Sequence, residues 1–298
     1  MKGSFGILTR IQLYCRKVPN MDRIRLWDTT PPYYDPSFIN ENNTEDVPSL
    51  TPFIVPETRD EYGNVKKTGC VIVCPGGSYV CRADYEGDPI CEFFNKYGIS
   101  GFTLNYRVEP YDHRAIKADV NRAVRWVRYH ADEYGIDPDK ISVLGFSAGG
   151  SLATIAATNY DRGLDCGDEI DRTSCRPDAA LLCYAVISMT DGLTHDYSKH
   201  VLIGRSEESL KCELEKKFSG ELAVTEDTPP VFMWHTAADN CVKVENPIAM
   251  AAALSAKKIP FELHVFDKGD HGLGMAANTP GACQWPCLAA DWLKRLGF

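Results

Sequence analysis

The sequence predicts a single α/β domain, a mostly parallel central sheet covered by helices on both faces, on three observations. Short, mostly apolar runs bounded by turn residues recur from residue 70 onward, as expected of buried parallel strands. Patterns with apolar residues at helical spacing lie between them, and strand alternating with helix over this length implies a parallel sheet. The 298 residues, 44% of them hydrophobic, can bury one large core, and no linker or repeat argues for two.

Along the chain, residues 1–20 carry Lys2, Arg10, Arg16 and Lys17 and read as a basic extension that need not belong to the fold. The run from Met21 to Trp27 would serve equally well as a start, so the domain is expected over residues 21–298. Residues 28–64 are rich in Pro, Asn, Asp and Thr and predict a wrapping segment, with one apolar patch at 50–55 that suits an outer strand. Strands are expected at 70–74, 99–106, 140–144, 179–187, 231–235 and 260–266. Helices are expected at 89–97, 116–134, 151–160, 247–257 and 287–296, the second with Ile116, Val120, Ala123, Val124 and Val127 at helical spacing. Residues 188–229 interrupt the alternation just before the 231–235 strand, with polar loops and a helical pattern at 207–217. A small lid and a solvated surface insertion fit that segment equally.

The run Val143-Leu144-Gly145-Phe146-Ser147-Ala148-Gly149-Gly150 reads as a buried strand, a sharp turn and a helix start with a serine at the apex. Glycines on either side of Ser147 remove Cβ atoms that would collide as strand and helix close up, which is what a nucleophile elbow needs. By average composition Gly-x-Ser-x-Gly arises by chance in roughly one chain of this length in ten, so the surroundings decide. Strand, elbow and helix are all present, and Ser151 falls inside the expected helix, leaving Ser147 as the candidate nucleophile.

A serine hydroxyl attacks only with a base in reach and an acid to orient that base. Of seven histidines, His264 sits inside a strand and His130 on a helix, both read as structural. His113 follows Pro110 in an expected loop, while His195 and His200 fall in the insertion. His271 alone leaves the last strand through a glycine-flanked loop at the strand's carboxyl end, where ligands of open α/β sheets bind. The acid is expected at Asp239, just beyond the preceding strand; Asp191 is its chief rival, and adjoining Asp270 is disfavoured because consecutive loop side chains seldom face each other. His235 is expected to play a structural role at its strand end. For the oxyanion, Cys74-Pro75-Gly76-Gly77-Ser78-Tyr79 supplies a glycine loop after the first core strand. The expected donors are the amides of Gly77 and Ala148, with Gly76 as a third candidate.

A formal charge of -9 argues against a nucleic-acid partner and against anionic substrates or membrane surfaces. No apolar stretch near the N-terminus is long enough for a signal h-region or a span, so cytoplasmic residence is the default expectation. Twelve cysteines are many, but Cys70, Cys74, Cys81, Cys91 and Cys183 lie in or beside core elements and read as reduced thiols. Cys283 and Cys287, four apart, are expected to pack on one helix face rather than bind metal. No metal or organic cofactor is required by these parts.

From about Met21 to Phe298 the chain resembles the α/β-hydrolase superfamily, in particular bacterial esterases related to acetyl xylan esterases and other carbohydrate acetylesterases. The resemblance rests on Cys74-Pro75-Gly76-Gly77-Ser78-Tyr79, Leu104-Asn105-Tyr106-Arg107, Gly145-Phe146-Ser147-Ala148-Gly149-Gly150, the run from Pro229 to Thr236, and Gly269-Asp270-His271-Gly272. The order Ser147, Asp239, His271 is that of the superfamily. Ser78 stands where similar proteins commonly have a third glycine, and Ala238 where a second acid is common. The resemblance implies hydrolysis of short acyl esters, often acetyl groups on sugars, so that the expected partner is a small acyl ester such as an acetylated oligosaccharide. A general short-chain carboxylesterase or lipase and an arylformamidase-type amidase share every catalytic residue. A silent binding protein on the same scaffold has no need of the complete Ser147, Asp239 and His271 set.

Overall fold

The computed structural model describes residues 23–38 and 47–298. The basic segment set apart at 1–20 lies outside the described residues. Within them, eight strands form one sheet in the order β1-β2-β4-β3-β5-β6-β7-β8. They are β1 (Ile24–Arg25), β2 (Ser49–Phe53), β3 (Thr68–Cys74), β4 (Ser100–Asn105), β5 (Ile136–Phe146), β6 (Ala179–Cys183), β7 (Val231–Thr236) and β8 (Phe261–Phe266). The first two pairings, β1 with β2 and β2 with β4, are antiparallel; all others are parallel. The α-helices are α1 (Asp88–Asn95), α2 (His113–Tyr129), α3 (Ser147–Thr158), α4 (Asp196–Ile203), α5 (Glu208–Phe218), α6 (Gly220–Ala223), α7 (Glu245–Ala256) and α8 (Trp285–Arg295).

Successive side chains of a strand point to opposite faces, so the apolar residues of the central strands feed two cores at once. Ile72, Val143, Leu182 and Met233 join one cluster, with α2, α3, α4, α5 and α7 over it. Their neighbours Val73, Leu144, Leu181 and Phe232 join the other, under α1 and α8. There Trp285 of α8 stacks on Trp234 of β7 at 5.2 Å and 14°. Helix α2 starts where Asp112 accepts from the Arg114 amide at 2.9 Å, a side-chain N-cap, and places His113 in the helix rather than in the expected loop.

Three expectations are corrected. Strand β6 stops at Cys183 instead of running to 187, because Tyr184 takes a left-handed φ of 35° and turns the chain across the start of α3. Strand β8 is at the edge of the sheet, so Phe261 and Val265 are exposed rather than buried on both faces. Cys283 lies in a 3-10 turn ahead of α8, whose first turn holds Pro286, and both Cys283 and Cys287 are exposed. No helix of the described residues is long and apolar enough to cross a membrane.

The insertion between β6 and β7 is bound into the main core. Val201, Leu202, Ile203, Leu214 and Phe218 belong to the same apolar cluster as the sheet. At its base, buried Asn246 of α7 accepts from the Ile187 and Ser188 amides, both at 2.9 Å, and donates to the Leu193 carbonyl. Helix α2 is anchored elsewhere by charge. Arg107, just past β4, meets Asp119 through its Nε, its Nη2 and its backbone N–H, with both side chains at 1% exposure or less. Removing one partner of such a buried pair strands the other, at a cost of about 3–5 kcal/mol. Asp119→Ala is therefore expected to lower urea stability by about that much, whereas Asp168→Ala, on the half-exposed partner of Arg122, changes it by less than about 1 kcal/mol.

Candidate active site

Ser147 opens α3 directly after β5 with φ 53°, a left-handed conformation that disfavours a residue with a Cβ by about 1–2 kcal/mol. Close packing enforces it. A Cβ on Gly145 would meet the Gly149 carbonyl oxygen at 2.0 Å, one on Gly149 the Cys74 carbonyl oxygen at 2.1 Å, and one on Gly150 the Ala185 Cβ at 2.4 Å. The glycines thus let α3 lie against β5, the end of β3 and the turn after β6 together. The Val186 amide donates to the Ser147 carbonyl at 3.1 Å and holds the apex from the far side.

His271 arrives on the loop after β8, between Gly269 at φ 125° and Gly272 at φ 78°. Its Nε2 lies 2.8 Å from Ser147 Oγ and its Nδ1 2.7 Å from Asp239 Oδ2. A carboxylate only accepts, so Nδ1 carries the proton, which leaves Nε2 bare to accept from the serine hydroxyl. The loops bearing acid and base are themselves joined: Ala237 N–H donates to the Phe266 carbonyl at 2.8 Å, and Thr236 Oγ1 to the Gly269 carbonyl at 2.8 Å.

The Asp239 side chain is fully buried. Its Oδ1 accepts from the Cys241 and Val242 amides at 2.8 and 2.9 Å. Buried His235 holds Nε2 2.9 Å from the Val242 carbonyl and 3.3 Å from Asp239 Oδ2; both are acceptors, so this nitrogen carries a proton. Burial raises the Asp239 pKa, but hydrogen bonds from His235 and His271 and the charge of His271 outweigh it and hold the carboxyl well below the usual carboxylate range. Rival Asp191 is exposed and paired with Lys199 at 2.6 Å.

The glycine loop packs directly on the serine, since a Cβ on Gly76 would come 3.1 Å from Ser147 Cβ. Its conformation is left-handed over three residues: Gly77 at φ 127°, Ser78 at 55° and Tyr79 at 61°. Ser78 carries a Cβ penalty in that conformation, which glycine alone would avoid. Of the three expected oxyanion donors, Gly76 is corrected: its N–H donates to the buried Glu86 carboxylate at 2.8 Å and is spent there. The Gly77 amide faces no acceptor among the described residues, and the Ala148 amide lies in the first turn of α3, where N–H groups have no intrahelical partner. Leu104-Asn105-Tyr106-Arg107 supports this loop from below, the Tyr106 hydroxyl donating to the Pro75 carbonyl at 2.6 Å.

The other histidines lie apart from this relay or beside it. His264 bonds Glu262, His130 stacks on Trp126 at 4.0 Å, and His113 Nδ1 donates to the Leu202 carbonyl. His195 caps α4 with Nδ1, accepting from Ser198, and burial followed by the charge of His271 lowers its pKa. Sequence reasoning missed Glu86 and Tyr184, which carry no spacing signal. No group of three or more His, Cys, Asp or Glu among the described residues is arranged to hold a metal ion.

A serine on a strand–helix elbow, a histidine after the last strand and an acid after the one before, on this sheet, define an α/β-hydrolase. The BD-FAE family model matches residues 61–254, and the chain belongs to that family. It is 38% identical over 219 residues to endo-1,4-beta-xylanase B of Butyrivibrio fibrisolvens, which covers 70% of this chain and 33% of that protein. It is 30% identical over 229 residues to an acetylxylan esterase of Xylanibacter ruminicola, which covers 76% of this chain and 45% of that protein. The chain thus matches less than half the length of either relative. Among solved structures, an acetyl ester-xyloside bifunctional hydrolase from Caldicellulosiruptor lactoaceticus superposes with a TM-score of 0.84 at 41% identity, covering 94% of this chain and 98% of that one.

The depressed pKa of Asp239 links the site to folding. An acid whose folded pKa lies below its unfolded value of about 3.9 stabilises the fold above that pH and loses the contribution as pH falls below it. The urea-stability gap between wild type and Asp239→Asn should accordingly be widest above about pH 5 and narrow steadily toward pH 3. A gap that stays constant would remove the assignment of an ionised, donor-stabilised Asp239.

Proposed function

We propose that this protein is a serine carboxylic ester hydrolase that removes short acyl groups, foremost acetyl, from carbohydrates. The observation that carries the chemistry is the unbroken run from Asp239 Oδ2 through His271 to Ser147 Oγ, 2.7 and 2.8 Å long. The serine proton passes to His271 Nε2 as Oγ attacks the ester carbonyl carbon. The carbonyl oxygen becomes an anion, met by the amides of Gly77 and Ala148 at the positive end of α3. His271 returns its proton to the leaving alcohol, and an acyl-enzyme remains. Water, deprotonated by the same nitrogen, then releases the acid and restores Ser147, while Asp239 balances the imidazolium in both halves. Every step uses residues of this chain, and none calls for a metal or cofactor.

The acetyl and carbohydrate parts of the reading are supported by the relatives, whose names refer to acetylxylan and to an acetyl ester-xyloside activity. A net charge of -9 suits a neutral, hydroxyl-rich substrate. A broader short-chain esterase is the second reading, favoured by a 34% identity over 102 residues to an arylesterase of Saccharolobus solfataricus.

Acetylated xylo-oligosaccharides should lose 42-dalton units in mass spectra on incubation with the enzyme, and aryl acetates should outpace aryl octanoates and formamides. Ser147→Ala is expected to lower kcat by about 10⁴-fold or more and to abolish fluorophosphonate labelling. Turnover of aryl acetates with no loss from any acetyl sugar would leave the broader esterase; labelling that survives Ser147→Ala would overturn the nucleophile.

A further inference from the structure

Beneath the site lies a carboxylate that the mechanism above does not use. Glu86 is 2% exposed, at the end of the 3-10 turn Asp84–Glu86, and no ion pair reaches it among the described residues. Its Oε2 accepts from Gly76 N–H at 2.8 Å and its Oε1 from the Tyr184 hydroxyl at 2.5 Å. Gly274 N–H in turn donates to the Tyr184 oxygen at 2.9 Å. The Tyr184 ring stands edge-on to the His271 ring, 5.0 Å between centroids and 71° between planes.

Proton directions set the sense of this chain of bonds. A backbone N–H can only donate, so the Tyr184 oxygen accepts from Gly274 and its own proton must go to Glu86. Both Glu86 oxygens are then acceptors; burial pushes the carboxyl pKa up, while the bonds from Tyr184 and Gly76 and the charge of His271 pull against that rise. An amide NH2 in place of either oxygen would face another donor and break a link. One end of the chain is the glycine loop: Gly76 N–H goes to Glu86, while the Gly76 carbonyl accepts from Ala83 N–H at 3.0 Å. That carbonyl shares its peptide with the Gly77 N–H, the oxyanion donor of the proposed mechanism, so these two bonds orient that amide. The other end is the backbone three residues beyond His271.

We propose that Glu86 is a positioning residue which, through Tyr184, locks the loop carrying the Gly77 oxyanion donor to the loop carrying His271. The inference rests on the ester-hydrolase reading of Ser147, His271 and Asp239. Buried as it is, Glu86 acts through the two loops it joins. A carboxylate that merely filled the core would affect stability, whereas one that sets a donor and a base affects the transition state selectively.

The test compares Glu86→Gln, Tyr184→Phe and the double variant with wild type on an aryl acetate. A trifluoromethyl ketone serves as the oxyanion-forming inhibitor, and melting temperature is recorded throughout. A loss of about 10- to 100-fold in kcat is expected for Glu86→Gln, with KM within about 3-fold and inhibitor affinity falling alongside kcat. The double variant should be no worse than Glu86→Gln, because both changes cut one chain. Variants that melt earlier yet keep wild-type kcat and inhibitor affinity would overturn the proposal, as would losses that multiply in the double variant. If Glu86→Gln fails to fold, Tyr184→Phe, which removes a single hydroxyl, decides between the same outcomes. A wild-type enzyme inert toward esters and unlabelled at Ser147 defeats the parent reading and this one together; active wild type with unaffected variants defeats this one alone.

Discussion

Helix α3 lies so close to the sheet that a methyl group on Gly149 would sit 2.1 Å from the Cys74 carbonyl oxygen, and Ser147 at its head is held at φ 53°. The rest of the site depends on that approach. It thrusts the hydroxyl above the carboxyl edge of the sheet, presents the first-turn amides of α3 beside it, and brings the glycine loop after β3 within contact of Ser147 Cβ. A left-handed serine is unfavourable alone by about 1–2 kcal/mol. It persists because every residue of α3 from Ser147 to Ala156 is buried and the Val186 amide holds the Ser147 carbonyl.

Around that corner the other parts are placed by bonds between loops rather than within them. Acid and base loops meet through Ala237 with Phe266 and Thr236 with Gly269, and base and glycine loops meet through Glu86 and Tyr184. Parallel strands make this economical, since every β-to-α connection emerges at the same edge. The insertion is fastened by Asn246 and shares the main apolar core. Its place is set by packing against the helices on that face of the sheet.

Much of this was legible in the chain. The strands at Cys70, Leu144, Leu181 and Met233 were visible because residues buried on both faces give unbroken apolar runs. Ser147, Asp239 and His271 were legible because each follows a strand in a local pattern of glycines or turn residues, and the structure brings His271 within hydrogen-bond distance of both of the others. The edge position of β8 was not read from the chain, although Glu262 and His264 alternate there with Phe261, Leu263 and Val265; the sheet order is what exposes that run. Gly76 failed as an oxyanion donor because its amide has a partner ten residues on, which no spacing rule marks.

The sequence by itself determined what depends on local chemistry and periodicity: an α/β sheet, a serine on a glycine-flanked elbow, and a histidine and an aspartate just past strand ends. Only the tertiary structure decided that the Gly76 amide is engaged, that Asp191 faces solvent with Lys199, and that Glu86 and Tyr184, 98 residues apart in the chain, join two loops. Those outcomes turn on which donor meets which acceptor after the strands are ordered. A hydrogen bond across such a separation leaves no periodic trace, because the residues it joins answer to geometry and to no neighbour in the chain.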